Sequence, residues 1–237
     1  MTYNCAHMLP RAYERIPKEL VDDVIVMDDG SKDDAAGEAK KLGLPFFRGE
    51  TNKGYGGNLK AGFARMLERG ADYIVEVHGD GQFDAGALRL AEPHVRAGAD
   101  LVLGSRFVDP WRALKNGMSW ARWLANRGLS FFDRLVLRLP LTEFHTGFRV
   151  YSRRFLEKTP WQGGSDDYLF SFQIIAQAAY GGFKVVEVPV DADYLGEHTS
   201  VSMTRSVVYA LGTMSVLAEF AAARLGLSYT PVFPRRA

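Results

Sequence analysis

The stretch from Ala71 to Asp84, ADYIVEVHGDGQFD, constrains the fold more than any other part of the chain. Tyr73 to Val77 read as a short buried strand, apolar except for Glu76. The run then breaks into His78-Gly79-Asp80-Gly81-Gln82-Phe83-Asp84, where polar side chains alternate with glycine and one Phe. Glycine lets the backbone turn sharply and come close to a ligand. The carboxyl end of a strand in an α/β sheet is where such ligands sit. In an extended segment His78, Asp80 and Gln82 stand two apart and project to one side. An imidazole, a carboxylate and an amide oxygen together suit a divalent cation, Mg²⁺ or Mn²⁺, and through it a diphosphate. A polar strand-to-helix turn with Asp84 as helix N-cap accounts for the same residues without a ligand.

The pattern of a strand running into a polar turn recurs on either side. Val24 to Met27 lead into Asp28-Asp29-Gly30-Ser31, and Asp33 or Asp34 caps a helix over Ala35 to Leu42. Carboxylates, glycine and a hydroxyl at a strand end suit a ribose or a base, and they are also ordinary turn chemistry. Phe46-Phe47-Arg48 reads as the next strand. Asn52-Lys53-Gly54-Tyr55-Gly56-Gly57-Asn58 then enters a helix from Leu59 to Glu68. Backbone N–H groups at that helix start, with Lys53 beside them, attract phosphate. No Gly-Lys-Ser/Thr follows, so this is not a P-loop. A helix over Leu88 to Arg96 and a strand over Leu101 to Leu103 end in Gly104-Ser105-Arg106. Arg106 at the sheet edge either grips an anion in the crevice that holds Asp80 or pairs with a nearby carboxylate. Such alternation predicts an α/β fold on a parallel nucleotide-binding sheet.

The second half is less regular. Leu9 to Leu20 read as a helix interrupted by Pro10 and Pro17, whereas Ser119 to Leu139 carry Trp120, Trp123, Phe131 and Phe132 among Arg122, Arg127, Arg134 and Arg138. On a helix Arg127, Arg134 and Arg138 fall within roughly 40° of one another. A basic stripe beside an aromatic face fits a helix lying on lipid, or a packed helix with snorkelling arginines. Glu143 to Arg149 form a polar turn before a strand at Arg149 to Tyr151. Gly163 to Asp167 cap a helix from Tyr168 to Tyr180, where Asp166 and Asp167 serve either as a base or as favourable charge on the helix dipole. Strands are expected at Phe183–Val188 and Asp191–Leu195, and a closing helix at Ser206–Leu225. A net charge of +1 gives no global pull toward nucleic acid. The lone Cys5 leaves no internal disulfide and suits the cytoplasm. No uncharged apolar run reaches about 18 residues; the nearest, Ser206 to Leu227, is broken by Glu219 and Arg224. One continuous domain over 1–237 is expected, with a donor and metal part (1–106), an acceptor part (107–203) and a C-terminal helix and tail (204–237).

Asp28-Asp29-Gly30-Ser31, Asn52-Lys53-Gly54, Asp80-Gly81-Gln82 and Thr146-Gly147-Phe148-Arg149 follow the order and spacing of the family 2 glycosyltransferases. The chain most resembles the branch of dolichyl-phosphate mannose synthase and bacterial polyprenyl-phosphate sugar transferases. That resemblance implies a GT-A fold, a nucleoside-diphosphate sugar donor and inversion at the anomeric carbon. It places Tyr3, Asp28 and Asp29 by the base and ribose, with Lys53 and Arg149 also among the substrate-binding residues. The metal motif falls on His78, Asp80 and Gln82. Arg106 matches an arginine that binds the acceptor phosphate, with Arg122 or Arg127 as its partner, and Asp167 or Asp166 lies near a residue that serves some members as base. Two departures stand out. His78 replaces the first metal aspartate, and the chain starts at the Tyr-Asn turn, where family members have a preceding apolar strand. A missing strand would expose its neighbours' edges.

The expectation that follows is sugar transfer onto a polyprenyl phosphate, with a cation at Asp80 and Lys53 countering the charge on the departing diphosphate. A phosphate acceptor is already anionic and needs no base; a saccharide hydroxyl would need Asp167 or Asp166. Cytoplasmic location with peripheral contact at the inner face of the membrane is expected, and no nucleic-acid partner. Two other readings stay open. Nucleotidyl transfer would normally place a glycine-rich, arginine-bearing loop at the first strand, and none is seen. A degenerate member that binds nucleotide without turnover fits the substitution at His78.

Overall fold

Successive residues of one strand show how the chain is layered. Leu101 and Leu103 join one buried cluster and Val102 another, and Tyr151 and Val150 divide in the same way. Side chains two apart share a face of a strand, so each of these strands is buried on both faces. A computed structural model describes residues 1–194 and 203–235. In chain order the elements are α1 (Leu9–Glu14), β1 (Val26–Asp28), α2 (Ala35–Lys41), β2 (Phe46–Arg48), α3 (Tyr55–Glu68), β3 (Tyr73–Glu76), α4 (Leu88–Arg96) and β4 (Leu101–Ser105). They continue with α5 (Arg112–Lys115), α6 (Trp120–Leu137), β5 (Arg149–Ser152), α7 (Arg153–Lys158), α8 (Phe170–Gly181), β6 (Val185–Pro189) and α9 (Met203–Arg224).

The strands form two sheets, a parallel pair β1-β2 and a larger one in the order β3-β5-β4-β6. β4 and β6 are parallel, as are β1 and β2, but β5, beyond the alternating stretch that predicts a parallel sheet, runs antiparallel to both β3 and β4, so the larger sheet is mixed. The chain makes its long excursion through α5 and α6 before it re-enters the sheet. An antiparallel neighbour needs no crossover on that return. One face of the larger sheet carries Phe63 of α3, Phe155 of α7, Phe170 and Ile174 of α8, and Phe220 of α9. Leu88 and Ala91 of α4 cover the other. Asp100 ties the edge opposite the crevice: its carboxylate accepts from Arg154 Nε and the Lys184 N–H at 2.8 and 2.9 Å.

Local signals place most boundaries. Asp34 caps α2 by accepting from the Gly37 N–H at 2.9 Å. Asp84 caps a short 3₁₀ turn ahead of α4. Pro10 sits in the first turn of α1, where it is tolerated, so only Pro17 interrupts that region. α3 starts at Tyr55 rather than Leu59, with Gly56 and Gly57 inside its first turn. The glycines are needed there: a Cβ on Gly56 would stand 2.5 Å from the Ser165 carbonyl oxygen. In place of the second expected strand, Ala192 makes an isolated bridge to Phe83, and position 195 lies outside the described residues.

Among the described residues no strand lies between β1 and β3. Thr2 alone bridges Asp28, and the space behind it is an apolar slot of about 480 Å³. Ser206–Arg224 of α9 is long and apolar enough to cross a membrane by length and composition, with mean hydropathy 1.5. Its Val216, Leu217 and Phe220 are nevertheless part of the core. Gly104, in the middle of β4–β6 packing, is a direct check on this layering. A Cβ there meets Val190 Cγ1 at 2.7 Å and Phe148 Cβ at 3.0 Å. Gly104→Ala is expected to lower unfolding stability by about 1–3 kcal/mol, read as a lower urea midpoint with unchanged slope.

Candidate active site

The site is built around a carboxylate that sequence analysis passed over. Glu76 ends β3 and is only 2% exposed. Tyr151 on β5 donates to its Oε2 at 2.7 Å, Tyr55 at the start of α3 donates to Oε1, and His78 Nε2 stands 2.9 Å from Oε1. Burial pushes the carboxyl up, but His78, the Arg149 charge and Tyr55 outweigh it and hold Glu76 below the usual range. Burial, with the Glu76 charge beside them, pushes both tyrosine hydroxyls well up, so they stay protonated as donors.

This network redirects His78. The segment after β3 is not extended: Gly81, at φ +64°, donates its N–H to the His78 carbonyl at 3.0 Å. The imidazole turns back to Glu76, with Tyr55 and Phe83 edge-on to it at 5.8 and 5.7 Å. Gly147 allows this, because a Cβ there would lie 2.4 Å from His78 Cε1. The expectation that His78, Asp80 and Gln82 share one side is therefore corrected. Asp80 is half-buried and uses Oδ1 to accept the Gln82 N–H at 3.0 Å. Among the described residues no group of three or more His, Cys, Asp or Glu is arranged to hold a metal. The oxygens of Asp80 and Gln82 still fit a hard divalent cation of the kind bound through one or two protein ligands plus substrate phosphates and water.

On the donor side the expected acidic pair is already engaged. Asp28 accepts from the Ser31 N–H and hydroxyl and from Arg48 Nε at 2.7 Å. Asp29 accepts the N–H groups of Lys53 and Gly54 at 2.8 and 2.9 Å, and burial raises its pKa. These carboxylates fasten the loop walls. Tyr3 and Lys53 remain exposed at the loop tips. Asn4, at φ +51°, locks that turn by donating its N–H to Ser31 Oγ at 2.9 Å and accepting the Lys32 N–H at 2.8 Å.

On the acceptor side Arg149 is corrected outright. It is fully buried, and it donates to the Ser171 and Thr146 carbonyls at 2.7 and 2.9 Å. Arg106 takes the carboxylate-pairing alternative: Nε donates to Glu143 at 2.8 Å and Nη1 to Tyr194 at 2.9 Å. Arg122 and Arg127 are exposed on α6, the latter with its guanidinium 5.0 Å from the Trp123 ring. Asp167 accepts from Ser165 Oγ and the Leu169 N–H, both at 2.8 Å. Asp166 pairs with Lys60 at 2.5 Å, and its carbonyl accepts the Gly57 N–H. His145, also missed from the sequence, joins three elements: it meets Asp133 of α6 at 2.9 Å and Tyr209 of α9 at 3.0 Å, and stacks on Phe172 of α8. The lone charge inside an apolar strand was the visible signal for Glu76; nothing in the sequence marked His145.

Polar loops gathered at the carboxyl ends of parallel strands define a nucleotide-binding α/β domain. The chain belongs to glycosyl transferase family 2, whose profile matches residues 1–159. It is 32% identical to the polyprenol monophosphomannose synthase of Mycolicibacterium smegmatis over 80% of this chain and 74% of that one. It is equally 32% identical to the undecaprenyl-phosphate mannosyltransferase of Micrococcus luteus, over 80% and 79%. The UDP-N-acetylglucosamine–dolichyl-phosphate N-acetylglucosaminyltransferase of Methanococcus voltae is 26% identical over 89% and 88%. Among solved structures, the glucosyl-3-phosphoglycerate synthase of Mycobacterium tuberculosis with Mn²⁺, UDP and product superposes at a TM-score of 0.66. That comparison covers 97% of this chain and 79% of the other at 16% identity. The fold is therefore the expected GT-A glycosyltransferase fold.

Glu76 generates a pH-dependent prediction. Its folded pKa lies below the ordinary 4.5, so its contribution is complete above that value and lost as pH falls through the lowered one. Glu76→Gln is expected to cost about 3 kcal/mol at neutral pH. In thermal melts the gap between the two proteins should narrow as the pH falls below 4.5.

Proposed function

We propose that this chain is an inverting transferase that moves a sugar from a nucleoside diphosphate to a polyprenyl phosphate at the cytoplasmic face of a membrane. The observation that carries the lipid acceptor is the surface of α6 and α9. Leu124 and Phe131 are 67% and 63% exposed, and Trp120, Phe132, Leu135, Val208 and Leu211 are exposed with them. Arg122, Arg127 and Arg134 border this surface. An apolar helix face rimmed by arginines suits the interface of an anionic bilayer. Its near end adjoins the crevice, since Trp123 and Tyr194 pack on the cluster that contains Phe107, the residue after Arg106, and Arg127 lies over the Phe107 ring. The relatives' names, two of them mannosyltransferases or synthases of polyprenyl phosphates, point the same way.

In this reading Asp80 and Gln82 hold a divalent cation, Mg²⁺ or Mn²⁺, which when bound supplies positive charge to the departing diphosphate. Tyr3 stacks on the base, and Lys53 adds a second positive charge to the phosphates. The acceptor phosphate carries its own negative charge, so attack needs no protein base. Asp166 is matched by Lys60 and Asp167 is spent on its turn, which favours this version over activation of a saccharide hydroxyl. Arg106 is already matched by Glu143, so Arg122 and Arg127 are the cations free to orient an incoming phosphate.

Two outcomes check this. Asp80→Ala should reduce transfer from a nucleotide sugar to a polyprenyl phosphate by about 10²-fold or more, while Asp166→Asn and Asp167→Asn stay within about threefold of the parent. Loss of transfer in either asparagine variant would instead show that the reaction requires that carboxylate and would overturn the base-free version. Separately, combined Leu124→Glu, Phe131→Glu and Leu135→Glu should lower co-sedimentation with phosphatidylglycerol vesicles at least about fivefold without shifting the melting midpoint.

A further inference from the structure

Tyr3 and Tyr168 are exposed aromatic rings on the loops of the crevice, and the proposed reaction uses only Tyr3. Tyr168, in the turn ahead of α8, keeps 49% of its surface in water. Its ring stacks on Tyr55 at 5.3 Å with the two planes 21° apart. Tyr55 is itself anchored, because its hydroxyl donates to Glu76 and its ring meets His78 edge-on at 5.8 Å. One face of Tyr168 is thus fixed by a ring that has little freedom to move, and the outer side is left to solvent. The adjacent carboxylate is held in its own turn, since Asp167 accepts from Ser165 Oγ and the Leu169 N–H.

Hydrogen bonds between the loops fix their order across the crevice. Asn4, beside Tyr3, donates its N–H to Ser31 Oγ, and the Ser31 N–H goes to Asp28. Asp29, next in the chain, accepts the N–H groups of Lys53 and Gly54. Beyond them the Asp166 carbonyl accepts the Gly57 N–H, and a Cβ on Gly54 would stand 2.5 Å from that carbonyl oxygen. Tyr168 follows two residues later. From one wall to the other the order is therefore Tyr3, Asp28 and Asp29, Lys53, Tyr168. With the base at Tyr3 and the diphosphate at Lys53, the part of the donor that continues toward Tyr168 is the sugar. We propose that Tyr168 is a specificity-determining residue whose outer face receives the C–H face of the transferred pyranose; this rests on the donor reading given above. The face of an aromatic ring is its negative side, which suits the positive hydrogens of a pyranose C–H face. A ring already held by Tyr55 loses little freedom when the sugar arrives, so the contact is preorganised. The stack uses the ring and leaves the phenolic hydroxyl without a part.

The test is calorimetric binding, with Mn²⁺ present, of UDP, GDP, UDP-glucose, UDP-N-acetylglucosamine and GDP-mannose to the parent, Tyr168→Ala and Tyr168→Phe. Tyr168→Ala is expected to weaken the sugar-bearing nucleotide that the parent binds most tightly by about fivefold or more, while UDP and GDP stay within about twofold. Tyr168→Phe should leave all five within about twofold of the parent. Equal weakening of the nucleotides with and without sugar, or no weakening of either, would overturn the proposal. So would a Tyr168→Phe protein that behaves like Tyr168→Ala, because the role would then belong to the hydroxyl. A parent that binds none of the five would overturn the donor reading and this inference with it. Binding by the parent without a sugar-specific loss in Tyr168→Ala would overturn the platform alone.

Discussion

A carboxylate removed from water is tolerated only where hydrogen bonds and opposite charge replace its hydration, since each unmatched buried ion costs several kcal/mol. Glu76 meets that condition by drawing donors from three parts of the chain: the start of α3, the middle of β5 and the turn after β3. The buried Arg149 guanidinium adds the balancing charge. Each donor therefore has a fixed place relative to the others, and the consequences spread outward. Holding Tyr55 sets where α3 begins, and Tyr168 stacks on that ring at 5.3 Å. Holding His78 sets the turn on which Asp80 stands.

The same economy of charge recurs around the crevice. Asp28 and Asp29 secure the donor-side loops, Glu143 holds Arg106, and Asp133 with His145 joins α6 to the loop before β5. In the proposed reaction, Asp80, Lys53, Arg122 and Arg127 are the charged groups that would meet a cation or substrate. A crevice whose walls are internally neutralised and whose tips are not can bind an anionic donor tightly at a few points without electrostatic strain in the unliganded state.

How far this was legible in the sequence follows from the range of each interaction. Phe46–Arg48 and Leu88–Arg96 fall where they were read because hydrophobic periodicity and caps such as Asp34 act over a few residues. The four polar turns were legible for the same reason, as was the basic and aromatic face of α6. Arg149 was not. Its partners at Ser171 and Thr146 become its partners only when α8 docks on β5. The reversal of β5 and the turning of His78 toward Glu76 are likewise decided by packing between distant segments. Residue type announced polar chemistry at Asp28 and Asp29, but could not show that backbone N–H groups of the next loop would claim it.

The pairing of the larger sheet also sets a timetable. Glu76 meets Arg149 across the sheet, and Leu101 meets Val185. β3 and β4 therefore wait for β5, and β4 keeps one edge unpaired until β6 has left the ribosome. At about 5–20 residues per second, the earlier strands wait several seconds with open apolar edges. The helical segments can form meanwhile, because their hydrogen bonds are local. The open edge of β4 thus persists late into translation, and slower decoding near β6 would lengthen that interval.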